Sequence, residues 1–212
     1  MGFVVALTGG IGCGKSSATK LFAELGAGIV DTDEIAHRLT LPGARALQEI
    51  ASRLGPEYLL PDGSLDRGAL RRRVFSDPTA KAGLEAILHP LIRREAEAEI
   101  ARQRAPYAVV AVPLLFESGA SYRKLAQQVV VVDCAEETQI TRTMERSGLS
   151  RDEVRAIMAQ QVTRETRLRR ADAVLHNDGS LEELKEQVAF LHRRFLELAA
   201  GESKQRLSKT SH

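Results

Sequence analysis

The chain is poor in aromatic residues and contains no tryptophan. Aromatic side chains make up 4% of its 212 residues, too few for the stacking platforms that hold single-stranded nucleic acid. Lysine and arginine total 30 against 28 for aspartate and glutamate, so the formal net charge is +2. A nucleic-acid-binding surface is normally far more basic. We therefore expect no nucleic-acid partner.

Cysteines are few, and long apolar runs are absent from the sequence. Two cysteines, Cys13 and Cys134, cannot build a disulfide framework. No apolar run reaches the roughly 18 residues of a membrane-spanning helix, and the first residues lack the basic stretch of a signal peptide. We therefore expect no membrane partner and a reducing, cytoplasmic setting. For the oligomeric state we expect a monomer or a weak homo-oligomer.

Lysine is also scarce, because seven of the 30 basic residues are Lys and 23 are Arg. The planar guanidinium of Arg binds phosphate or carboxylate oxygens in pairs. Residues 142–170 hold eight Arg, no Lys and four acidic residues, so they carry more net positive charge than the whole chain. Genomic composition can explain the total number of Arg residues. Their concentration in residues 142–170 indicates a phosphate-binding segment.

Hydrophobic residues at 43% and charged residues at 27% are typical of a globular chain. Short apolar segments alternate with helical patterns, which predicts a parallel sheet covered on both faces. The predicted strands cover residues 3–8, 28–30, 107–112, 128–132 and 173–176. The length suits one domain over residues 1–200, followed by a flexible tail at 201–212.

Two long stretches between the strands have helical patterns. Residues 34–104 contain no clear strand and predict a helical insertion. Residues 136–170 predict charged helices with a break near residues 147 and 148, and the part at 142–170 is the predicted lid region. A final amphipathic helix is predicted over residues 181–199.

The most specific motif is GGIGCGKS at residues 9–16, which we call the phosphate loop. It fits the P-loop pattern G-x-x-x-x-G-K-[ST], with an apolar strand before it and a helical pattern after it. Glycines let the backbone N–H groups surround phosphate oxygens, and the helix N-terminus attracts anions. In this pattern Lys15 reaches the β- and γ-phosphates, and the Ser16 hydroxyl binds Mg²⁺. The predicted ATP-binding residues here are Gly10, Ile11, Gly12, Cys13, Gly14, Lys15, Ser16 and Ser17.

The P-loop pattern by itself does not separate kinases, GTPases and motor ATPases. The Asn-Lys-x-Asp motif that specifies guanine is absent from the sequence. The strand at 107–112 is followed by Pro-Leu-Leu-Phe-Glu, whereas a Walker B strand ends in Asp. The chain length and the Arg-rich helical stretch favour a small-molecule kinase, which closes a lid to exclude water.

Two aspartates, Asp31 and Asp33, come directly after the second predicted strand. The carboxyl end of that strand faces the same edge of a parallel sheet as the phosphate loop. Asp33 is therefore either a general base for a substrate hydroxyl or the N-cap of a helix beginning at Glu34. Taken alone, these residues leave both interpretations open.

The chain resembles the dephospho-coenzyme A kinases in an ordered set of segments from Leu7 to about Leu191. None of the segments after the phosphate loop is specific alone, but their order and spacing are. They are residues 7–16, 30–33, 62–65, 71–75, 89–92, 112–117, 131–133, 137–139 with 142, 161–164 with 167–168, and 171–172. Cys13 departs from the usual Ser of this family, Ala173 from a frequent Asp, and Asp178 from a frequent Asn.

This resemblance implies a doubly wound α/β P-loop fold with a five-stranded parallel sheet, a helical acceptor-binding insertion and a helical lid. It implies transfer of the ATP γ-phosphate to the 3′-hydroxyl of dephospho-coenzyme A, with Mg²⁺ as cofactor. Asp33 and Lys15 are then the catalytic residues. Arg142 belongs to the lid, and Asn177 to a loop beside the adenine. The implied acceptor-binding residues are Thr8, Asp33, Arg73, His89, Pro113 and Leu114.

Some of these residues have plainer interpretations. His89 precedes a proline, a position that avoids helix, and it suits a turn or a core hydrogen bond as well as a substrate contact. Arg73 lies in a run of three arginines typical of a solvated helix face. Cys13 is either a small spacer or a thiolate with modest reagent sensitivity that ATP suppresses. The alternative functions are another small-molecule or nucleoside monophosphate kinase and a non-enzymatic nucleotide sensor.

Overall fold

A computed structural model describes residues 2–210, with the side chains of all but residues 120, 121 and 203–210. The chain forms two compact units. Unit 1 holds the described residues up to Asp31 and from Glu99 onward, and unit 2 holds Thr32–Ala98. Unit 2 falls within the helical insertion predicted at 34–104, apart from its first two residues.

Unit 1 is built on a sheet of five strands, all paired in parallel in the order β2-β3-β1-β4-β5. This confirms the predicted fold class, and each strand ends within one residue of its predicted position. The strands are β1 (Phe3–Gly9), β2 (Gly28–Asp31), β3 (Tyr107–Ala111), β4 (Gln128–Asp133) and β5 (Ala173–His176).

Ten α-helices run through the described residues. They are α1 (Lys15–Glu24), α2 (Thr32–Leu39), α3 (Arg45–Leu54), α4 (Arg67–Ser76), α5 (Pro78–Arg102), α6 (Ala120–Leu125), α7 (Glu136–Ser147), α8 (Arg151–Ala159), α9 (Arg164–Arg169) and α10 (Leu181–Thr210). None of the helices in the described part of the chain is both long and apolar enough to cross a membrane.

β1 occupies the centre of the sheet, so both of its faces are covered and every one of its residues is buried. This explains why its sequence is almost continuously apolar. α1 and α10 pack against each other on one face, where Phe22 and Phe195 lie with ring centroids 6.2 Å apart. The phosphate loop therefore follows the central strand of the sheet.

Unit 2 consists of helices α2 to α4, most of α5 and a short 3₁₀ turn at Pro56–Tyr58. Asp66 caps α4 by accepting a hydrogen bond of 2.8 Å from the Ala69 N–H. The core of the unit is apolar and comprises Leu47, Ile50, Tyr58, Leu65, Leu70 and Ile87. No β-strand lies in residues 32–98, which agrees with the helical pattern of their sequence.

Two expectations about helix ends are wrong, and one helix was not predicted. α5 continues through His89 and Pro90, because one proline removes a single hydrogen bond from a helix of 25 residues. α10 continues past the predicted end at residue 199 to Thr210. The short helix α6 was not predicted. Flexibility of the tail at 201–212 stays a prediction, and residues 211 and 212 lie outside the described residues.

Candidate active site

The phosphate loop joins the end of β1 to the start of α1. Gly12 and Gly14 have φ angles of +75° and +88°, which residues with a Cβ rarely adopt. The Cys13 N–H donates to the Gly10 carbonyl at 3.2 Å and closes the turn. Gly14 is the N-cap of α1 and has no side chain to cap the first N–H groups of the helix. The local backbone is therefore arranged to receive an anion.

Helices α7 and α9 pack tightly behind this loop. A Cβ on Gly12 would lie 2.5 Å from the Gln139 carbonyl oxygen and 2.6 Å from Thr143 Oγ1. A Cβ on Gly10 would lie 2.6 Å from Gln139 Oε1 and 2.9 Å from Arg167 Nη2. At Gly12 both the packing against the Gln139 backbone and the positive φ require glycine, whereas at Gly10 the crowding comes from the Gln139 and Arg167 side chains alone.

Asn177 connects the phosphate loop to the end of the sheet. Its Nδ2 donates to the Cys13 carbonyl at 2.7 Å, and its N–H donates to the Asp133 carbonyl at 2.8 Å. Arg142 Nη1 donates to the Asn177 carbonyl at 2.8 Å. Arg142 and Asn177 thus lie beside the loop, where these contacts hold its shape. The direct contact of either residue with ATP stays a prediction.

An ion pair between the half-exposed Arg164 and the buried Asp133 fixes the start of α9. Arg164 donates to both carboxylate oxygens of Asp133, at 2.8 Å from Nε and 2.6 Å from Nη2. Asp133 is 2% exposed, and its hydrogen bonds raise the pKa of Arg164 further above its ordinary value. Breaking one partner of such a pair leaves a buried charge, so the pair holds α9 against the end of β4.

The connection between α8 and α9 lies against the phosphate loop. The Ile11 N–H donates to Gln161 Oε1 at 3.2 Å. The Val162 N–H donates to Glu117 Oε1 at 2.8 Å, and the Val162 carbonyl accepts from Arg167 Nη1 at 2.6 Å. The buried guanidinium of Arg167 is thereby positioned next to Gly10.

Lys15 and Ser16 are the first two residues of α1, and the Ser16 side chain is exposed. Within the part of the chain that the structure describes, no group of three or more His, Cys, Asp or Glu could hold a metal ion. Mg²⁺ commonly uses one or two protein ligands together with phosphate oxygens and water. An exposed Ser16 hydroxyl at the helix N-terminus suits a metal that arrives with the nucleotide.

The predicted acceptor residues of unit 1 form one contact. The Thr8 hydroxyl is buried and donates to the Pro113 carbonyl at 3.2 Å. Leu114, the next residue, is exposed. These residues lie at or just after the carboxyl ends of the adjacent strands β1 and β3.

The predicted acceptor residues of unit 2 have exposed side chains. Asp33 is the second residue of α2, which begins at Thr32, so its interpretation as a helix N-cap is wrong. Arg73 Nη2 pairs with Asp77 Oδ2 at 2.7 Å. His89 is exposed within α5, so its interpretation as a turn or core residue is also wrong.

A family model described as dephospho-CoA kinase matches residues 3–183. The chain belongs to the dephospho-CoA kinase family. A dephospho-CoA kinase from Thiobacillus denitrificans is 56% identical over 199 residues, covering 94% of this chain and 98% of the relative.

Solved structures agree with membership of the dephospho-CoA kinase family. A protein from Thermus thermophilus superimposes with a TM-score of 0.78 at 38% identity, covering 91% of this chain and 97% of the other. The dephospho-CoA kinase from Campylobacter jejuni has a TM-score of 0.67 at 29% identity, covering 94% and 98%. The resemblance and the kinase class predicted from the sequence are confirmed.

Four residues beside the phosphate loop had no predicted role: Gln139, Thr143, Gln161 and Arg167. The family resemblance offered a hint for three of them, because its segments include Gln139, Gln161 and Arg167. It offered none for Thr143. A motif at 9–16 cannot indicate them, because they approach the loop from α7, from α9 and from the connection before α9, more than a hundred residues later in the chain.

Proposed function

We propose that the phosphate loop and Asp33 carry out the reaction of this family. As a dephospho-CoA kinase, the chain transfers the γ-phosphate of ATP to the ribose 3′-hydroxyl of dephospho-CoA and gives CoA and ADP, the last step of CoA synthesis. The observation that carries the proposal is the glycine loop with two positive φ angles in front of a helix N-terminus without a side-chain cap. Such a loop surrounds phosphate oxygens with backbone donors.

The nucleotide side of the reaction depends on positioning and on charge. The Lys15 ammonium and the backbone N–H groups of the loop bind the β- and γ-phosphates. The Ser16 hydroxyl is the proposed protein ligand of Mg²⁺, which when bound offsets phosphate charge. Arg167, held beside Gly10, adds a further positive charge. Gln161 gives up its hydrogen bond to the Ile11 N–H when a phosphate oxygen takes that place.

Asp33 is the proposed general base. The 3′-hydroxyl oxygen attacks the γ-phosphorus while the bond from that phosphorus to the ADP oxygen breaks. The hydroxyl proton passes to the Asp33 carboxylate. The exposed side chain of Asp33 supports this role, as does its place two residues after β2, whose carboxyl end lies at the same sheet edge as that of β1.

The proposed acceptor-binding residues are Thr8, Asp33, Arg73, His89, Pro113 and Leu114. The helices at 142–170 are proposed to serve as the lid.

Both cysteines are free thiols, which supports the proposed reducing, cytoplasmic location. A monomer or a weak homo-oligomer stays the expectation for the oligomeric state.

A coupled ADP-release assay across candidate acceptors tests the proposed function. We expect ADP release that depends on ATP, Mg²⁺ and dephospho-CoA, with a product heavier by one phosphoryl group. Nucleoside monophosphates should give only background release. ADP release with a nucleoside monophosphate but not with dephospho-CoA would overturn the proposal.

A further inference from the structure

The Pro-Leu-Leu-Phe-Glu segment at residues 113–117, which we call the β3 turn, follows the end of β3. The turn is held in place, because Leu115 is buried and the Ser118 N–H donates to the Leu114 carbonyl at 3.0 Å. Its first two residues are proposed to bind the acceptor. Its last two residues have no part in the proposed reaction, although they belong to the motif that carries the family resemblance.

The last residue of the β3 turn, Glu117, contacts the connection between α8 and α9. The N–H groups of Gln160 and Gln161 still donate to carbonyls in the last turn of α8. The next N–H, that of Val162, donates instead to Glu117 Oε1 at 2.8 Å. The Glu117 carboxylate therefore holds the chain at the point where it leaves α8 and turns towards α9.

Phe116 contacts the other end of α9. Arg170 is the residue that follows this helix, and its guanidinium carbon lies 5.7 Å from the centre of the half-buried Phe116 ring. A guanidinium over an aromatic face is attracted by the electrons of the ring. Two adjacent residues of the β3 turn thus hold α9 from both of its ends.

Arg167 lies between these two contacts. Its Nη1 donates to the Val162 carbonyl at 2.6 Å, so Glu117 and Arg167 bind the N–H and the carbonyl of the same residue. Arg167 is 7% exposed, and its Nη2 lies 2.9 Å from the position of a Cβ on Gly10. The place of Val162 therefore sets the place of the Arg167 guanidinium beside the phosphate loop.

We propose that Glu117 is a positioning residue for phosphoryl transfer, which acts through Val162 to hold the Arg167 guanidinium at the phosphate loop. Phe116 supports the same arrangement through Arg170. This inference rests on the proposed function, in which Arg167 adds positive charge beside Gly10. The β3 turn then serves both substrates, because its start binds the acceptor and its end positions a charge for ATP.

The expected size of the effect follows from the nature of the reaction. Phosphoryl transfer depends on positioning and on charge, and a displacement of about 1 Å in a positioned group can cost about 10²-fold in rate. A hydrogen bond from an N–H to a carboxylate is stronger than one to a neutral oxygen. Without the Glu117 side chain, water takes the Val162 N–H, and the connection before α9 is free to shift.

Substitution of Glu117 tests the proposal in steady-state kinetics with ATP and dephospho-CoA. Glu117→Ala should lower kcat by about tenfold to a hundredfold and leave the KM for dephospho-CoA nearly unchanged. Glu117→Gln keeps an oxygen that accepts from the Val162 N–H, so kcat should stay within about threefold of the wild type. Phe116→Leu should lower kcat by about threefold.

Glu165→Ala is the matched control. It removes a carboxylate from α9 that is 77% exposed and pairs with Arg169 at 3.1 Å, on the same helix as Arg167. This variant should keep the kcat and both KM values of the wild type. Thermal unfolding of each variant checks that the fold is intact.

A double-mutant cycle separates positioning from a general structural role. Arg167→Met removes the guanidinium and keeps the bulk of its stem, and Arg167→Gln replaces it if the methionine variant unfolds early on heating. If Glu117 acts through Arg167, adding Glu117→Ala to either variant should lower kcat by no more than about twofold further. A residue that only stabilised the fold would show its full effect in both backgrounds.

Four results would overturn the inference: normal kcat in Glu117→Ala, equal losses in Glu117→Ala and Glu117→Gln, a rise in the KM for dephospho-CoA without a fall in kcat, or an undiminished effect of Glu117→Ala once Arg167 is replaced. All four require an active wild-type protein. Absence of transfer to dephospho-CoA by the wild type would instead contradict the proposed function itself, so the two proposals can fail separately.

Discussion

The phosphate loop and the predicted acceptor residues of unit 2 are built in opposite ways. The loop presents backbone groups, and its shape is held by packing against α7 and α9 and by Asn177. Asp33, Arg73 and His89 are exposed side chains on three separate helices. Phosphate binding by backbone groups requires glycine at fixed positions, so it produces a recognisable sequence motif. Side chains on separate helices have no fixed spacing in the sequence, so they produce no such motif.

This difference predicts how each region responds to substitution. Changes in the loop should affect ATP binding and folding together, because the same contacts serve both. Changes at the exposed side chains of unit 2 should alter turnover or acceptor binding and leave folding unchanged. Four substitutions with matched controls test this contrast.

Lys15→Ala should have the largest effect. Loss of the ammonium that we propose binds the β- and γ-phosphates should lower kcat by about 10³–10⁵-fold, the range for a charge that stabilises this type of transition state. Lys20→Ala on the same helix is the control, because the Lys20 side chain is 79% exposed and faces Glu24 at 4.0 Å. Steady-state kinetics should separate the two, and normal turnover by Lys15→Ala would exclude the loop as the ATP site.

Asp33→Asn should lower kcat by about 10²–10⁴-fold, the contribution of a general base. ATP affinity should change little, because the phosphate loop is intact. Glu34→Gln removes the neighbouring carboxylate in the first turn of α2 and should leave kcat nearly unchanged. If Asp33→Asn keeps near-normal turnover, or if both variants lose it equally, Asp33 is not the base.

Gly14→Ala should weaken ATP binding and destabilise the fold, since its Cβ would collide with Asn177 Nδ2. Gly26→Ala is the control, because Gly26 has a similar φ of +93° and open space around it. In both variants the alanine must adopt a left-handed backbone conformation, which lowers the free energy of unfolding by about 1–2 kcal/mol. Thermal unfolding should show a larger loss for Gly14→Ala, with ATP affinity about tenfold weaker in that variant alone. Equal losses would show that the packing of Asn177 does not matter.

Arg73→Ala should have the smallest effect, a rise of about threefold to tenfold in the KM for dephospho-CoA, as expected for an exposed charged contact. The KM for ATP should not change. Arg72→Ala, in the adjacent position of α4, should alter neither value. A change in the KM for ATP in Arg73→Ala would place Arg73 outside the acceptor site.

The strands and the phosphate loop were predictable because their patterns are local. β1 is apolar over seven residues since it is covered on both faces, and the loop needs glycines at Gly12 and Gly14. Helix ends were less predictable, because α5 passes through Pro90 and α10 continues beyond residue 199. In both cases the hydrogen bonds and packing of the whole helix, rather than the residues near the expected end, decide where the helix stops.

The surroundings of the loop were not predictable from local patterns. Cys13 in the phosphate loop and Cys134 after β4 belong to the same buried cluster, although they are far apart in the sequence. The positions of Arg167 and Gln161 depend in the same way on how α8 and α9 pack in unit 1. Only the folded chain shows that these side chains meet the loop.

We expect the γ-phosphate of ATP to go to the ribose 3′-hydroxyl of dephospho-CoA. The most direct measurement compares ADP release with the 2′-deoxy and 3′-deoxy analogues of this acceptor at saturating ATP and Mg²⁺. We expect the 2′-deoxy analogue to be phosphorylated and the 3′-deoxy analogue to give no ADP release above background. Equal ADP release with the 3′-deoxy analogue, accompanied by a phosphorylated product, would contradict the account.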